Sequence, residues 1–500
     1  MSTKKLNHHN LSQPSVNANF NEVRVRFAPS PTGLMHLGNV RTAVLNYLFA
    51  LKYQGTFVLR IEDTDAERNF DVGAKQILAD LEWLNLKFQE GPYFQSQRAN
   101  YYQTALEQLI QKKLVYRCFC SNLELERKRE LQIAMHLAPR YDRTCALLTA
   151  PQIQAKLDQA EKFIWRFAVD QAAQAKFYDL AKGELEFELK HFSDFPLTRQ
   201  DQSFTFIFAN LVDDILMRIS HVLRGDDHLT NTVSQILLYQ AFEKPVPFFW
   251  HLPLICNLDG KKLSKRDFGF SLGDLQKAGF LPEAINNYLG IIGATFTEEI
   301  LSLSDLSQAL DFEHIHSAGQ IKYDVKKLEW VNHKWINKLT PEELVPLCRP
   351  FLAAAYPDQL SPNNNTQLLK LIKLVHTDLV TLAEIVLQTK FYFCEPDYNF
   401  IRQNLAPEVK QLIQEFLLAQ NLNHTTIANT INNNNLNNYT PEQLLNCLKE
   451  QANQAKIPAK IFFPSLRLIL TGQPAGLHIV DLIDTLGLAE TQKRLQQVIS

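Results

Sequence analysis

Between residues 23 and 61, a strand pattern, a helix pattern and a second strand pattern follow one another, and this order limits the possible folds of the chain. Residues 23–28 alternate between apolar and charged side chains, which is typical of a half-buried strand. Residues 38–53 carry apolar side chains at helical spacing, and Gly55 stands where a glycine often ends a helix. The stretch TFVLRI is typical of a second strand. This order predicts a βαβ unit and a parallel sheet, a fold class with nucleotide-binding potential.

The connection between the first strand and the helix, FAPSPTGLMHLGN, combines stiff and permissive residues. Pro29 and Pro31 stiffen it, whereas Gly33 and Gly38 let a ligand approach the backbone closely. Ligands of open α/β sheets bind at such a turn, where the N–H groups of the following helix can bind phosphate. Taken alone, the segment is equally consistent with a rigid structural turn that carries His36 by chance.

Composition limits the class of protein. The 500 residues predict roughly three or four domains. A net charge of −2 excludes a generally basic nucleic-acid binder, so any polyanion must be met by local patches. Seven cysteines, an odd number, favour a reducing compartment, the cytoplasm, over a disulfide scaffold. No apolar run predicts a membrane span, and residues 1–22, which lack the apolar core of a secretory signal, are expected to form a disordered tail.

The remainder of the chain changes character twice. Residues 114–210 begin charged and helical and then become strand-like, which predicts an α+β insertion between two halves of the sheet. The stretch MRISHVLRGDDHLTNTVSQILLYQAF resumes the order of strand, turn and helix. From about Leu339 the patterns are helical, with capping boxes predicted at Thr340 and Thr440 and a low-complexity loop at 431–439.

A cluster of cations, KKLSKR, follows an apolar strand and the turn NLDG. Charge runs of this kind usually form a solvated face, and for the segment alone that alternative stays open. Its position after a nucleotide-binding signature favours another role, because ammonium groups there could neutralise charge that builds on a triphosphate in a transition state.

Several motifs in a fixed order resemble one family. HLGN, residues 36–39, resembles the HIGH motif of class I aminoacyl-tRNA synthetases, and KLSKR, residues 262–266, resembles their KMSKS motif. Together with RFAPSPTGLMHLGN, RIEDTD, VLRGDDHL and YDVKKLEWVNHKWI, they are similar to the bacterial type of the glutamate–tRNA ligase family. The resemblance runs from about Arg24 to Leu339 and continues more weakly to the C-terminus.

The resemblance implies a domain plan and a reaction. The expected plan is a Rossmann-type catalytic domain with a parallel sheet at 23–113 and 211–255, a connective insertion that binds the acceptor stem at 114–210, the KMSKS loop with stem-contact helices at 256–339, and an all-α anticodon-binding domain at 340–500. The expected reaction joins L-glutamate to tRNA-Glu through a glutamyl adenylate, with ATP bound as its Mg²⁺ complex. Family members are usually monomers and usually need bound tRNA before they activate glutamate.

The family's functional residues carry over to matching positions. Arg26 and Arg224 would bind the side-chain carboxylate of glutamate, and Glu62 would hold its ammonium group; surface pairing of the arginines with nearby acids is the alternative. The implied glutamate site comprises Arg26, Ser30, Glu62, Phe206, Asn210 and Arg224. The implied catalytic residues are His36, Asn39, Lys262 and Lys265. The implied ATP site comprises Pro29, Gly33, His36, Gly38, Asn39, Asp227, Lys262, Ser264, Lys265 and Arg266.

Two positions and one stretch depart from the family pattern. The family usually has tyrosine at Phe206 and often histidine at Ile215. Without the tyrosine hydroxyl, one hydrogen bond to the substrate is lost, worth about 1 kcal/mol. The stretch LVHTDLVTL, residues 374–382, lacks the arginine with which discriminating members read an anticodon base. Its absence predicts that tRNA-Gln is charged as well.

Cys118, Cys120 and Cys145 resemble the zinc site of some family members. Thiolates at this spacing can bind one tetrahedral zinc ion. The fourth ligand would be Tyr141, a substitute seen in related enzymes, because Leu147 stands where some relatives have histidine. Three ordinary cysteines in a chain that has lost the metal are the alternative.

Other functions are compatible with parts of this pattern. Glutamine–tRNA ligase shares the catalytic architecture, but its anticodon region is rich in β-barrels, whereas this C-terminal region is predicted to be helical. A truncated relative that glutamylates a modified tRNA base lacks the anticodon domain altogether. A catalytically silent tRNA-binding protein on the same fold is disfavoured because the motif residues, His36 and Lys265 among them, are intact.

Overall fold

Two units make up the protein, and a computed structural model describes residues 20, 22–64, 74–264, 266–311, 320–360, 365–422 and 439–499. The first unit comprises residues up to Gln276 together with Pro282–Val331. The second comprises Lys277–Leu281 together with residues from Asn332 onward. Nearly all of the predicted N-terminal tail, most of the predicted loop at 431–439, and Lys265 lie outside the described residues.

The first unit contains the parallel sheet that the βαβ pattern predicts. The strands along the chain are β1 (Arg24–Phe27), β2 (Thr56–Ile61), β3 (Glu90–Phe94), β4 (Val115–Cys118), β5 (Ile164–Phe167), β6 (Gln174–Asp179), β7 (Gly183–Glu188), β8 (Phe195–Pro196), β9 (His221–Gly225), β10 (Phe248–Leu252), β11 (Ile255–Cys256) and β12 (Ile321–Lys322). β2 pairs in parallel with β1 and β3, and β10 pairs in parallel with β9 and β6. These strands form two sheets, of order β1-β2-β3 and β7-β6-β10-β9, where the pattern predicts one. The two sheets meet where the N–H of Ser220 donates to the carbonyl oxygen of Arg24.

The region predicted as an insertion contributes to two sheets. β4, β5 and β8 form an antiparallel sheet of their own. β6 and β7 form an antiparallel hairpin whose first strand lies beside β10, so this hairpin extends the parallel sheet. Through β6, residues from the middle of the chain reach the sheet that carries Arg224.

Helices flank the strands of the first unit. They are α1 (Leu37–Lys52), α2 (Lys75–Trp83), α3 (Ala99–Gln111), α4 (Asn122–Ala134), α5 (Ala150–Asp158), α6 (Phe206–Leu216), α7 (Leu229–Ala241), α8 (Leu272–Ala278), α9 (Pro282–Ile291) and α10 (Leu303–Ala309). α1 packs against β1 and β9 and is largely buried, which agrees with its predicted apolar spacing. Its N-terminus therefore lies at the ends of two parallel strands, where ligands of such folds bind.

The prediction that Gly55 ends α1 as a cap residue is wrong. Tyr53 is the C-cap, and Gln54 adopts the positive φ of 52°. Glycine is required at Gly55 by a close approach, because a Cβ there would lie 2.3 Å from the carbonyl oxygen of Val23. That oxygen accepts the N–H of Thr56 across the sheet, a contact that helical spacing alone cannot reveal.

The second unit is helical in its described part. Its helices, the first of which begins in the other unit, are α11 (Val325–Ile336), α12 (Pro341–Ala355), α13 (Asn365–Val375), α14 (Glu384–Gln388), α15 (Lys390–Phe393), α16 (Tyr398–Asn404), α17 (Pro407–Leu422), α18 (Pro441–Gln454), α19 (Ala459–Thr471), α20 (Ile479–Leu486) and α21 (Leu488–Ile499). Both predicted capping boxes are confirmed, since Thr340 accepts the N–H of Glu343 and Thr440 that of Gln443. Among the described residues, no helix is both long and apolar enough to cross a membrane.

Candidate active site

His36 caps the N-terminus of α1 with its own side chain. Its Nδ1 accepts hydrogen bonds from the N–H groups of Gly38 and Asn39 at 3.0 and 3.3 Å. A Cβ at Gly38 would lie 2.8 Å from the imidazole ring, which explains the glycine. Because Nδ1 accepts, the ring proton lies on Nε2. Burial, and after it the charge of Lys262, lowers the His36 pKa, so the ring is neutral near pH 7.

The segment that follows the cationic loop returns to the turn that carries His36. The N–H of Leu37 donates to the carbonyl oxygen of Phe270 at 3.0 Å, and the N–H of Leu272 donates to that of Met35 at 2.9 Å. The ring of Phe270 lies 5.5 Å from the imidazole of His36, centroid to centroid. The segment directly after the second motif therefore lies against the turn that carries the first.

Two cavities open at this junction, one of about 850 Å³ and one of about 480 Å³. Residues shared by both linings are His36, Asn39, Thr42, Gly225, His228 and Phe270. The larger cavity is also lined by Pro29, Gly33 and all six residues of the implied glutamate site. The smaller is also lined by Gly38, Asp227 and Lys262. The structure thus brings together most of the residues that the family resemblance implies.

Asp267 holds the described part of the cationic loop. The N–H and the hydroxyl of Ser264 both donate to Asp267 Oδ2, at 2.8 and 2.9 Å. Ser264 and Arg266 are exposed and line neither of the two cavities. Their implied contacts with ATP stay predictions, as does the role of Lys265, which lies outside the described residues.

Two buried guanidinium groups line the larger cavity. Arg26 Nε lies 3.2 Å from Asp214 Oδ1, which also accepts a hydrogen bond from Arg60 at 2.6 Å. Arg224 Nη2 donates to Thr232, while its Nε and Nη1 have no hydrogen-bond partner in the described part of the chain. Burial, and after it the charge of Arg26, lowers the Arg224 pKa to about 9. A carboxylate ligand would compensate this buried charge.

The carboxylate of Glu62, directly after β2, lines the same cavity. The side-chain amide of Asn210 and, at 3.5 Å, the guanidinium of Arg60 both donate to Glu62 Oε1. Gln235 in turn donates to the Asn210 carbonyl oxygen at 3.1 Å, which fixes that amide. Burial raises the Glu62 pKa, and Arg60 opposes the rise. The arrangement holds an acceptor in the cavity that an ammonium group could use.

The structure adds His228, which the sequence did not single out. Its imidazole packs 5.4 Å from the ring of Phe206, and both residues line the larger cavity. Burial, and after it the charge of Arg224, lowers the His228 pKa to about 4, so this ring is also neutral near pH 7. Its place directly after the RGDD turn is the signal that could have identified it.

Three cysteine side chains converge away from these cavities. The Sγ atoms of Cys118, Cys120 and Cys145 all lie within 4.8 Å of one another. Tyr141 Oη lies 3.3 Å from Cys118 Sγ and 3.8 Å from Cys120 Sγ. Sulfurs bound to one tetrahedral zinc ion are about 3.8 Å apart, so this donor set fits the ion. Leu147, which stands where some relatives have a histidine, is 82% exposed and has no side-chain atom that could bind the ion.

Known proteins match this chain along nearly its whole length. Residues 22–330 match the family model of class I tRNA synthetases (E and Q), catalytic domain, and residues 343–499 match an anticodon-binding domain. The glutamate–tRNA ligase of Bacillus pumilus is 36% identical, over 96% of this chain and 100% of its own length. The glutamate–tRNA ligase of Microcystis aeruginosa is 41% identical, over 79% of this chain and 85% of its own length. This chain belongs to the glutamate–tRNA ligase family.

A solved structure agrees with this family. The glutamate tRNA ligase of Elizabethkingia meningosepticum, in complex with its amino acid, is 29% identical, with a TM-score of 0.82 over 96% of this chain and 99% of that one. The chain is thus a class I aminoacyl-tRNA synthetase with a parallel-sheet catalytic domain and a helical anticodon region. Membership favours a glutamate–tRNA ligase over a glutamine–tRNA ligase or a silent relative, and it implies ATP, typically with Mg²⁺, as a substrate.

Proposed function

We propose that this chain joins L-glutamate to tRNA-Glu, with glutamate bound in the larger cavity and ATP reaching the smaller one. The observation that carries the proposal is the pair of buried guanidinium groups, Arg26 and Arg224, that line one cavity with Glu62. Glutamate has two carboxylates and one ammonium group. Guanidinium groups suit its side-chain carboxylate and a buried carboxylate suits its ammonium, so the charges are complementary.

In the first step, the α-carboxylate of glutamate attacks the α-phosphorus of ATP and pyrophosphate leaves. The protein forms no covalent bond with the substrates in this step. It accelerates adenylate formation by positioning the two substrates and by stabilising the charge that develops on the phosphates. His36 donates a hydrogen bond from Nε2 to a phosphate oxygen, while its Nδ1 stays bound to the N-terminus of α1. Asn39 and Lys262 offer an amide and an ammonium group from the same lining.

In the second step, a hydroxyl of the terminal ribose of tRNA attacks the carbonyl carbon of the adenylate and AMP leaves. We assign acceptor-stem binding to residues 114–210, stem contacts to 256–339 and anticodon binding to 340–500. The remaining ATP contacts are assigned to Pro29, Gly33, Gly38, Asp227, Ser264, Lys265 and Arg266. The enzyme is proposed to act in the cytoplasm as a monomer.

The experiment that tests this function is glutamate-dependent exchange of pyrophosphate into ATP, measured with and without tRNA-Glu. We expect exchange with glutamate and tRNA-Glu together, and little without the tRNA. Exchange supported by glutamine instead of glutamate would contradict the proposed substrate. No exchange under any of these conditions would indicate a silent tRNA-binding protein.

We also propose that the enzyme charges tRNA-Gln with glutamate, because residues 374–382 contain no arginine. Charging assays on the two purified tRNAs test this, and strict rejection of tRNA-Gln contradicts it. This outcome is independent of the activation step, since a selective enzyme would still charge tRNA-Glu.

Replacing Phe206 with tyrosine is expected to lower the KM for glutamate about five-fold. Phe206 lines the larger cavity, so a hydroxyl there can add one hydrogen bond to the substrate, worth about 1 kcal/mol. Steady-state kinetics at saturating ATP and tRNA measures the effect. An unchanged or higher KM would mean that the ring edge does not face the amino acid.

We propose that Cys118, Cys120, Cys145 and Tyr141 bind one zinc ion that stabilises the insertion. Elemental analysis of the purified enzyme should find about one zinc per chain, and Cys120→Ser should lose most of it. Cys447→Ser, which changes a half-buried cysteine of α18, should retain the metal. A metal-free native enzyme would support the alternative of three ordinary cysteines.

A further inference from the structure

Three buried polar side chains, Thr232, His251 and Asp179, form a row of hydrogen bonds that begins at the guanidinium of Arg224. Arg224 Nη2 lies 2.5 Å from Thr232 Oγ1, and that oxygen lies 2.7 Å from His251 Nε2. His251 Nδ1 lies 2.7 Å from Asp179 Oδ2. Asp179, Thr232 and His251 are shielded from solvent completely, so each bond is made without competition from water.

The hydrogen bonds of this row have a defined direction. Burial lowers the His251 pKa, and the bond to Asp179 only partly opposes this, so the ring is neutral near pH 7. Its Nδ1–H donates to the Asp179 carboxylate, which leaves Nε2 as an acceptor. The hydroxyl proton of Thr232 then points to Nε2 at 2.7 Å rather than to the carbonyl oxygen of His228 at 3.2 Å. Thr232 Oγ1 keeps its lone pairs for Arg224.

Asp179, at the end of the row farthest from Arg224, is held by backbone N–H groups. Asp179 Oδ1 accepts the N–H groups of Ala181 and Lys182 at 2.9 and 3.0 Å, and its Oδ2 accepts the N–H of His251. The carboxylate ends β6, the strand that joins the sheet from the middle of the chain. His251 and Arg224 are direct neighbours in the β10–β9 register. Asp179, His251 and Thr232 therefore come from three elements, β6, β10 and α7; β10 lies between β6 and β9 in the sheet, and α7 packs against β6.

We propose that Thr232 and His251 are positioning residues that orient Arg224 for the carboxylate of the amino acid. Neither lines the two cavities, so they act through the guanidinium and not on the substrate. With Nη2 fixed by Thr232, Nε and Nη1 keep their hydrogen-bonding capacity for a ligand. Pre-orientation of this kind lowers the entropy that binding must otherwise remove. The inference rests on the proposed role of Arg224 in binding glutamate.

The test compares Thr232→Val with Thr232→Ser. Valine has nearly the same shape but no hydroxyl, so Arg224 loses its partner and we expect the KM for glutamate to rise about ten-fold to a hundred-fold. The KM for ATP should stay within about two-fold. Serine keeps the hydroxyl and should keep the glutamate KM within about three-fold of the native value.

A matched control separates positioning from stability. Thr389 is also fully buried, and its hydroxyl donates to a carbonyl four residues earlier, in the second unit. Thr389→Val should lower the melting temperature without changing the KM for glutamate. A native glutamate KM in folded Thr232→Val would overturn the inference. If Arg224→Gln still raised that KM, the proposed function would stand; if neither variant changed it, the assignment of the glutamate pocket would fail instead.

Discussion

Replacing Arg224 with glutamine is expected to lower kcat/KM for glutamate by roughly thirty-fold to several thousand-fold, mainly through KM. The variant removes a buried guanidinium from the cavity, so a bound carboxylate would lose one charge-assisted hydrogen-bond donor in a site shielded from water. Breaking one side of such a buried pair costs about 2–5 kcal/mol. Pyrophosphate exchange at varied glutamate concentration, with tRNA present, measures the effect.

Arg24→Gln is the matched control for that experiment. Arg24 lies on β1, where it pairs with Glu90 at 2.8 and 2.9 Å and lines neither cavity. Its loss changes the net charge by the same amount, so the KM for glutamate should stay within about two-fold. A comparable loss in both variants would show that charge in general, and not contact with the substrate, controls the affinity.

His36→Asn is expected to slow adenylate formation by about 100- to 1,000-fold. Asparagine is among the best N-cap residues, so the variant keeps an acceptor for the N–H groups that begin α1. It cannot place a donor where Nε2 lies, and loss of one preorganised donor to a transition state has an effect of this size. The rate of pyrophosphate exchange at saturating substrates measures it.

His36→Gln is the complementary variant. Its amide nitrogen reaches closer to the position of Nε2, so it should retain more activity than His36→Asn although it caps α1 less well. The reverse order of activities would mean that the cap, and not the donor, is what catalysis needs. In the native enzyme the His36 pKa is lowered, so protonation of the ring should reduce the rate only below about pH 6.5.

The sequence predicts those parts of the site that adjoin regular local patterns. Arg26, Glu62 and Arg224 each lie in or directly after a strand, and His36 stands at the start of a helix, so local patterns place them at strand and helix ends, while the resemblance to the family implies their roles. The αβ order, the helical second unit and the capping boxes follow from local periodicity in the same way.

The parts that could not be predicted depend on contacts between distant segments. Asp214 lies on α6 and accepts a hydrogen bond from Arg26 on β1, 188 residues away in the sequence, so this ion pair is visible only in the folded chain. Thr232 and His251 carry no motif of their own, and the row they form depends on the register of β10 against β9 and β6. The need for glycine at Gly55 could not be predicted for the same reason, because the oxygen that excludes a side chain there belongs to Val23, which directly precedes β1.

A crystal structure of the enzyme with a non-hydrolysable analogue of glutamyl adenylate would show whether Arg26 and Arg224 bind the amino acid together. We expect the side-chain carboxylate of the analogue at about 3 Å from guanidinium nitrogens of both Arg26 and Arg224, with the adenylate linker beside His36 Nε2. An analogue whose side-chain carboxylate contacts neither guanidinium, or which binds outside the two cavities, would contradict this expectation.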